Sequence, residues 1–367
     1  MRGACDAMCP DAEARARAAR GDVHELERAR PGAPSKMVKR FARTVVAGAD
    51  DAARVRTLDA CERATTHLFD VLDDARARGD DRAWTTARAF VDDRMRAVRQ
   101  DLATQGLFAD DRAACDRCCA LLERMIARAV TDEATARNAA DEDEHGAATL
   151  RERQLGKTFG MLLSAYAALG FDDDARVERV GRFASMFLCV RLREETSELA
   201  GDLRRVGERA MATKDARVAM KCRAAAATGN WRRFFAVVAN EASYEHACCL
   251  ERHFAAVRVD ALRSLNASLN ATPMKLDELA RVLHLDSASA AETYAKACGL
   301  AVNADESTVT FRASPFASPN LSHPDVAGAL RAANRGLKSG SRVAPTIARD
   351  VASVDVDRRF ASLSLAR

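Results

Sequence analysis

The chain has 367 residues, enough for a sizeable core and for about two domains or one long helical array. Aromatic residues make up only 5% against 30% charged residues, with Ala abundant, which argues for packed amphipathic helices and against a β-sandwich or barrel. Lys and Arg number 57 against 53 Asp and Glu, a net charge of +4, so the surface is mixed and lacks the broad basic field of a non-specific polyanion binder.

The amino terminus carries no apolar core of signal-peptide length, and no later run approaches a membrane span, so a soluble, intracellular protein without a membrane partner is expected. Its eleven cysteines are scattered, several on apolar helix faces, as reduced thiols acting as small hydrophobes would be. Cys5 and Cys9 precede Pro10, and Cys115, Cys118 and Cys119 share a face with Leu122, Met125 and Ile126; neither group has a compact second pair, so packing is expected and no metal or cofactor.

Residues 1–35 form an irregular start with a helical piece over 11–30, closed by Pro-Gly-Ala-Pro at 31–34. Lys36, Lys39, Arg40 and Arg43 follow, interleaved with Met37, Val38 and Phe41. This basic segment is either a nucleic-acid contact or the solvated start of an amphipathic helix. Helices are predicted over 54–78, 82–105 and 110–139, separated at 79–81 and at Gly106.

The second helix is the most informative. Val91, Met95, Val98 and Leu102 step by four, three and four along one narrow face, so one side is buried. On a wheel of about 100° per residue, Arg99 and Asp92 border one edge of that stripe and Arg94 and Asp101 the other. Charges at a buried margin need partners: either ion pairs with neighbouring helices or, for the arginines, a phosphate. Arg94 and Arg99 fit the first role, and Arg96, farther from the stripe, is the candidate for an outside contact.

The acidic run at 141–144 is a polar break, and residues 148–270 form a succession of helices punctuated at 170–174, Gly201 and 228–230, without a fixed repeat period. Over 272–312 the character changes. Thr272-Pro273 opens a helix with Leu276, Leu279, Val282 and Leu283, a second helix spans 288–298, and short strands at 300–302 and 308–311 flank a turn: a winged helix. Its second helix offers only Lys296 as a cation and its hairpin tip carries Asp305 and Glu306, so packing against a partner protein suits it better than phosphate. From 313 to 367 the chain reads as a largely flexible tail, apart from a short helix at 325–335.

Enzyme signatures fail. Gly156-Lys157-Thr158 has Arg151 where a phosphate loop needs Gly, and no zinc-protease, nucleophile-elbow or dinucleotide motif occurs. His246 and His253 bracket Cys248 and Cys249 on a segment that also packs Ala247, Leu250 and Phe254, and are read as structural.

Four stretches in order resemble the Sac-three/GANP family: Gly3-x-Cys5-x-x-Met8-Cys9-Pro10 with Glu13 and Arg17; Met37-Val38-Lys39-Arg40-Phe41; the block from Arg94 to Gln105; and Gly229-Asn230-Trp231-Arg232-Arg233-Phe234-Phe235. The resemblance covers about residues 3–312 and implies a mostly α fold, a helical-repeat array over 36–270 followed by a winged-helix subdomain over 271–312, the PCI arrangement. It further implies a non-enzymatic scaffold of the TREX-two messenger-RNA export complex, paired with a second PCI protein and a small acidic DSS-type subunit, in the nucleus foremost and also the cytoplasm, with RNA as a further partner. By position, Arg94, Arg99, Gln100, Asp101 and Gln105 belong to the family core. Trp231, Phe234 and Phe235 belong to the packing beneath the winged helix, with Leu279, Leu283 and Lys296 at a partner or packing surface. Lys36, Lys39, Arg40, Arg43 and Arg96 are the nucleic-acid candidates. The segment after the Asp-x-x-x-Gln element departs from the family, since 121–128 lacks the expected Phe-His, and the short form is similar to compact members. Some of those are associated with centrosome duplication and the spindle, which leaves a mitotic scaffold without a nucleic-acid role as the alternative.

Overall fold

The structure is a computed structural model that describes residues 2–28, 36–43, 52–106, 111–137, 145–170, 173–194, 197–271, 273–321, 326 and 329–330. The breaks at 31–34 and 141–144 and most of the helix expected at 325–335 lie outside the described residues. Those described hold fourteen α-helices and one three-stranded sheet, so the chain is mostly α. It divides into two compact units, Met1–Ile126 with Thr149–Gly170 and Ala127–Ala148 with Phe171–Arg367.

In the first unit, α1 (Asp11–Ala19) is followed by a turn and then a single 3-10 turn, Glu25–Glu27. The helix expected over 11–30 therefore stops early: Arg20 caps it, Gly21 takes a φ of 69°, and His24 opens a capping box with Glu27. The two long helices α2 (Leu58–Ala77) and α3 (Asp81–Gln105) start at Thr57 and Asp80, whose side chains accept from the Ala60 and Arg82 amides. Gly106, left-handed at φ 60°, ends α3. α4 (Arg112–Arg137) as far as Ile126 and α5 (His145–Leu169) from Thr149 complete the set. Leu68, Phe90, Val98, Leu102, Leu122 and Phe159 are buried in its core.

The chain start is woven into this unit. Cys5 bridges Arg56 in parallel, and a Cβ on Gly3 would stand 2.6 Å from the carbonyl oxygens of both Val55 and Arg56, which leaves room only for glycine.

The second unit stacks α6 (Asp174–Val190), α7 (Ser197–Val206), α8 (Glu208–Met211), α9 (Lys214–Ala227), α10 (Trp231–Asn240), α11 (Tyr244–Glu251) and α12 (Phe254–Ser268). Gly201 does not punctuate; it lies inside α7, and the break falls at Gly207, whose φ of 81° a helix cannot hold.

The winged helix follows as β1 (Pro273–Lys275), α13 (Leu276–Leu283), α14 (Ala288–Ala297), β2 (Ala301–Asn303) and β3 (Thr308–Thr310). The sheet runs β1-β3-β2, fully antiparallel, with Val309 opposite both Met274 and Val302. Pro273 opens a strand and not a helix: as the first residue of an edge strand it has no ladder donor to lose. Residues beyond 312 are not wholly loose. Phe316 and Leu321 pack against the winged-helix core, Leu330 is buried, and the Ala317 amide donates to the Cys298 carbonyl at 2.9 Å.

Candidate functional site

Of the margin charges of α3, Arg94, Arg99 and Asp101 are buried, whereas Asp92 stays half-exposed beside Arg151. Asp101 is 1% exposed; one of its oxygens accepts from Arg56 Nε at 2.6 Å and the other from Lys39 Nζ at 2.5 Å. Gln105 ties the same corner: its Nε2 donates to the Arg56 carbonyl at 2.9 Å and its Oε1 accepts from the Gly3 amide at 3.0 Å. Gln100 Nε2 donates to the Ala42 carbonyl at 3.1 Å. Arg94 lies over the Phe90 ring at 4.4 Å and reaches Glu27 at 3.2 Å, with Arg17 on the same carboxylate. Burial pushes the Glu27 carboxyl up, but the Val38 amide, Arg17 and Arg94 outweigh it and hold the group below the usual value.

Arg99 is different. Among the described residues it makes no ion pair; its fork binds Thr158 Oγ1 at 2.6 Å and both the carbonyl and side-chain oxygens of Gln154. Burial, then the like charge of Arg96, lowers its pKa to about 10. The family-core block Arg94, Arg99, Gln100, Asp101 and Gln105 therefore ties loops and helices together inside the first unit.

The basic segment is irregular over its described residues 36–43, with no helix start, and its four cations divide. Lys39 is held in the Asp101 pair with a 14% exposed side chain, so it is withdrawn from the surface candidates. Arg40 is half-exposed and pairs with Asp22 at 3.0 Å, while Lys36 and Arg43 are exposed. Arg96 stacks over the Phe41 ring at 3.9 Å, which holds its guanidinium at the surface beside this segment. Val38, fully buried, anchors the segment from beneath.

A second group of cations went unnoticed in the sequence. Lys36, Arg63, Arg117 and Arg124 line an open cavity of about 530 Å³ with His67, Glu62 and Asp70. Arg117 pairs with Glu62 at 2.7 Å and Arg63 with Asp6 at 2.8 Å. Burial, then the Lys36 charge, lowers the His67 pKa, and its buried Nε2 has no hydrogen-bond partner among the described residues. The available signal was Arg117 and Arg124, two turns apart on one helix face.

At the winged helix most of the residues expected to pack or to meet a partner are core. Phe234 and Phe235 are fully buried, edge-to-face at 5.3 Å and joined by Phe254; Leu279 and Leu283 are fully buried too. These four pack and have no surface to offer a partner. Trp231 is partly buried against the same core, and Lys296 alone is outward, pairing with Glu292 at 2.6 Å. Arg258 was missed. Only 3% exposed, it donates from Nε to the Leu283 carbonyl at 3.1 Å and from Nη2 to the His284 carbonyl at 2.6 Å, among the rings of Phe235, Phe254 and Tyr294. Its register, four residues after Phe254 and four before Leu262, placed it on the apolar stripe.

A serine–histidine contact in the second unit does no chemistry. His246 Nε2 lies 2.6 Å from Ser185 Oγ and Nδ1 2.6 Å from Ser243 Oγ, but Ser185 and His246 are at most 1% exposed, so no substrate reaches them. All eleven cysteines are buried free thiols, and burial pushes Cys61, Cys118 and Cys222 up to about 12. No group of three potential metal ligands occurs among the described residues.

The SAC3/GANP family model matches residues 8–304. SAC3 family protein B of Arabidopsis thaliana is 28% identical over 285 residues, which cover 73% of this chain and only 16% of that protein, so the chain corresponds to a small part of that relative's length. With the motif block, the helical stack and the winged helix as far as β2 inside the matched span, the chain belongs to the SAC3/GANP family.

Proposed function

We propose that this protein is a non-enzymatic PCI-type scaffold in nuclear messenger-RNA export and transcription-coupled RNA processing. It binds nucleic acid jointly with a second PCI protein and a small acidic subunit. One observation carries the reading: Arg258, through the Leu283 and His284 carbonyls, and Phe235, against the His284 ring at 5.1 Å, fix the winged helix to the helical stack, so that the subdomain is a rigid extension able to dock on an equivalent one. The wing tip, with exposed Asp305 and Glu306, suits phosphate poorly alone, which supports a joint surface with a partner. On the first unit, Lys36, Arg40 and Arg43 are exposed along one segment and Arg96 stacks on its Phe41 ring, which supports contact with single-stranded RNA.

Affinity purification of the full chain is expected to bring down a PCI protein and a small acidic subunit, and the reconstituted complex is expected to bind single-stranded RNA with affinity falling steeply as salt rises. The acidic wing tip and the Arg40–Asp22 pair favour a second reading, a protein-only scaffold of centrosomal or spindle assemblies. A complex without salt-sensitive RNA binding, and centrosomal co-purifying chains, would establish that reading in place of the first.

A further inference from the structure

Ser314-Pro315 and Ser318-Pro319 repeat one dipeptide four residues apart, in irregular chain after β3. This strap lies on the winged helix. Arg312 donates to the Asn266 and Ala267 carbonyls, Ala317 N to the Cys298 carbonyl, and Phe316 packs against the core. The two serines are held in opposite senses. Ser314 Oγ donates to the Gly299 carbonyl at 2.5 Å, whereas the exposed Ser318 Oγ accepts from Arg263 Nη2 at 2.7 Å. The same guanidinium lies over the Phe316 ring at 5.5 Å.

A serine before proline is biased to extended backbone and, outside helix and strand, presents its hydroxyl without local unfolding. That is the geometry a proline-directed protein kinase needs. We propose that Ser318 is a phosphoacceptor of such a kinase and that its phosphate clamps the strap to Arg263. In the transfer, Ser318 Oγ forms a bond to the γ-phosphorus of ATP, the bond from that phosphorus to the β–γ bridging oxygen breaks, ADP leaves with the oxygen, and the hydroxyl proton passes to the kinase's base.

The product places a near-dianion with three acceptor oxygens where one neutral acceptor stood, against an arginine already aimed at it. Arg263 also binds Asp260 at 2.6 Å, the like charge nearest the phosphate, but Asp260 keeps Arg193 at 2.7 Å, so Arg263 can turn without orphaning a carboxylate. Ser314 has the reverse sign. Its phosphate has no hydroxyl proton to give and would face the Gly299 carbonyl, so modification there lifts the strap.

The test uses the full chain, a proline-directed serine kinase and ATP, with sites mapped by mass spectrometry and amide exchange followed at Phe316 and Ala317. Phosphate on Ser318 with exchange slowed about fivefold is expected, together with loss of that slowing in Arg263→Gln, a substitution of an exposed side chain. Ser314→Asp is expected to speed exchange by about the same factor. Absence of phosphate at Ser318, phosphate without slowing, or slowing that persists in Arg263→Gln overturns the proposal.

Discussion

Arg258 donates to the carbonyl of His284 at 2.6 Å, and through that bond the last helix of the stack holds the turn that ends α13. His284 sits in the left-handed region at φ 52°, and this cap leaves carbonyls that helix bonds do not satisfy. Replacing Arg258 with Met keeps an apolar stem on Phe235 and Tyr294 but strands two carbonyls. The expected loss is about 3 kcal/mol, read in denaturant unfolding. If the bond mounts the subdomain on the stack, amide exchange over 273–310 accelerates more than exchange over 174–227.

The Asp101 corner gives a sharper contrast. Asp101→Asn leaves the fully buried Arg56 without its carboxylate and is expected to cost about 3–5 kcal/mol. Lys39→Met removes the more exposed partner and leaves Arg56 in place, for about 1–3 kcal/mol. The order of the two unfolding midpoints checks the assignment, and equal costs would mean that Lys39 carries as much of the pair as Arg56.

Much of this frame is legible in the sequence, and what is not has a physical reason. The stripe on α3 is a local period, and Val91, Val98 and Leu102 are buried while Met95 is only partly so. Its margin charges announce that they need partners. The partners themselves lie elsewhere: Glu27 is 67 residues from Arg94, Arg56 is 45 from Asp101 and Gln154 is 55 from Arg99. No spacing rule reaches that far. β1 escapes because three residues led by Pro273 carry no alternation, and its pairing is set by β3 from across the subdomain. The strap escapes because Ser-Pro composition resembles a linker, although Phe316 gives it an anchor.

Acid should loosen the second unit at His253. Its Nε2 donates to the Cys189 and Val190 carbonyls at 3.0 and 3.1 Å; burial, then the Arg252 charge, lowers its pKa from 6.5 to about 4. A folded pKa below the unfolded one means that the native state resists the proton. The stabilisation is therefore whole above pH 6.5 and is lost as pH falls from 6.5 toward 4. His253→Gln keeps a donor and cannot charge, so the drop in unfolding midpoint between pH 7 and pH 5 is expected to shrink in that variant. Glu27 acts lower, its contribution fading only as pH falls below the ordinary glutamate value of 4.5, so Glu27→Gln leaves the pH 7 to 5 difference unchanged.

The RNA reading depends on cations that remain at the surface. Arg40, Arg43 and Arg96 lie on or beside one irregular segment whose inward residue is the fully buried Val38, so changing all three to Gln leaves the anchor intact. Removing one cation from a phosphate lowers the slope of log affinity against log salt by about 0.7 for a single strand, so the triple variant of the reconstituted complex is expected to drop by about two units of slope. Affinity should fall alike for unrelated RNA sequences, since phosphate contacts carry no base information. Lys39→Met is the control: Lys39 faces Asp101, so the variant is expected to lower the unfolding midpoint and leave the salt slope unchanged. An unchanged slope in the triple variant would remove this segment from the RNA surface and leave the cavity cations Arg63, Arg117 and Arg124 as the place to look.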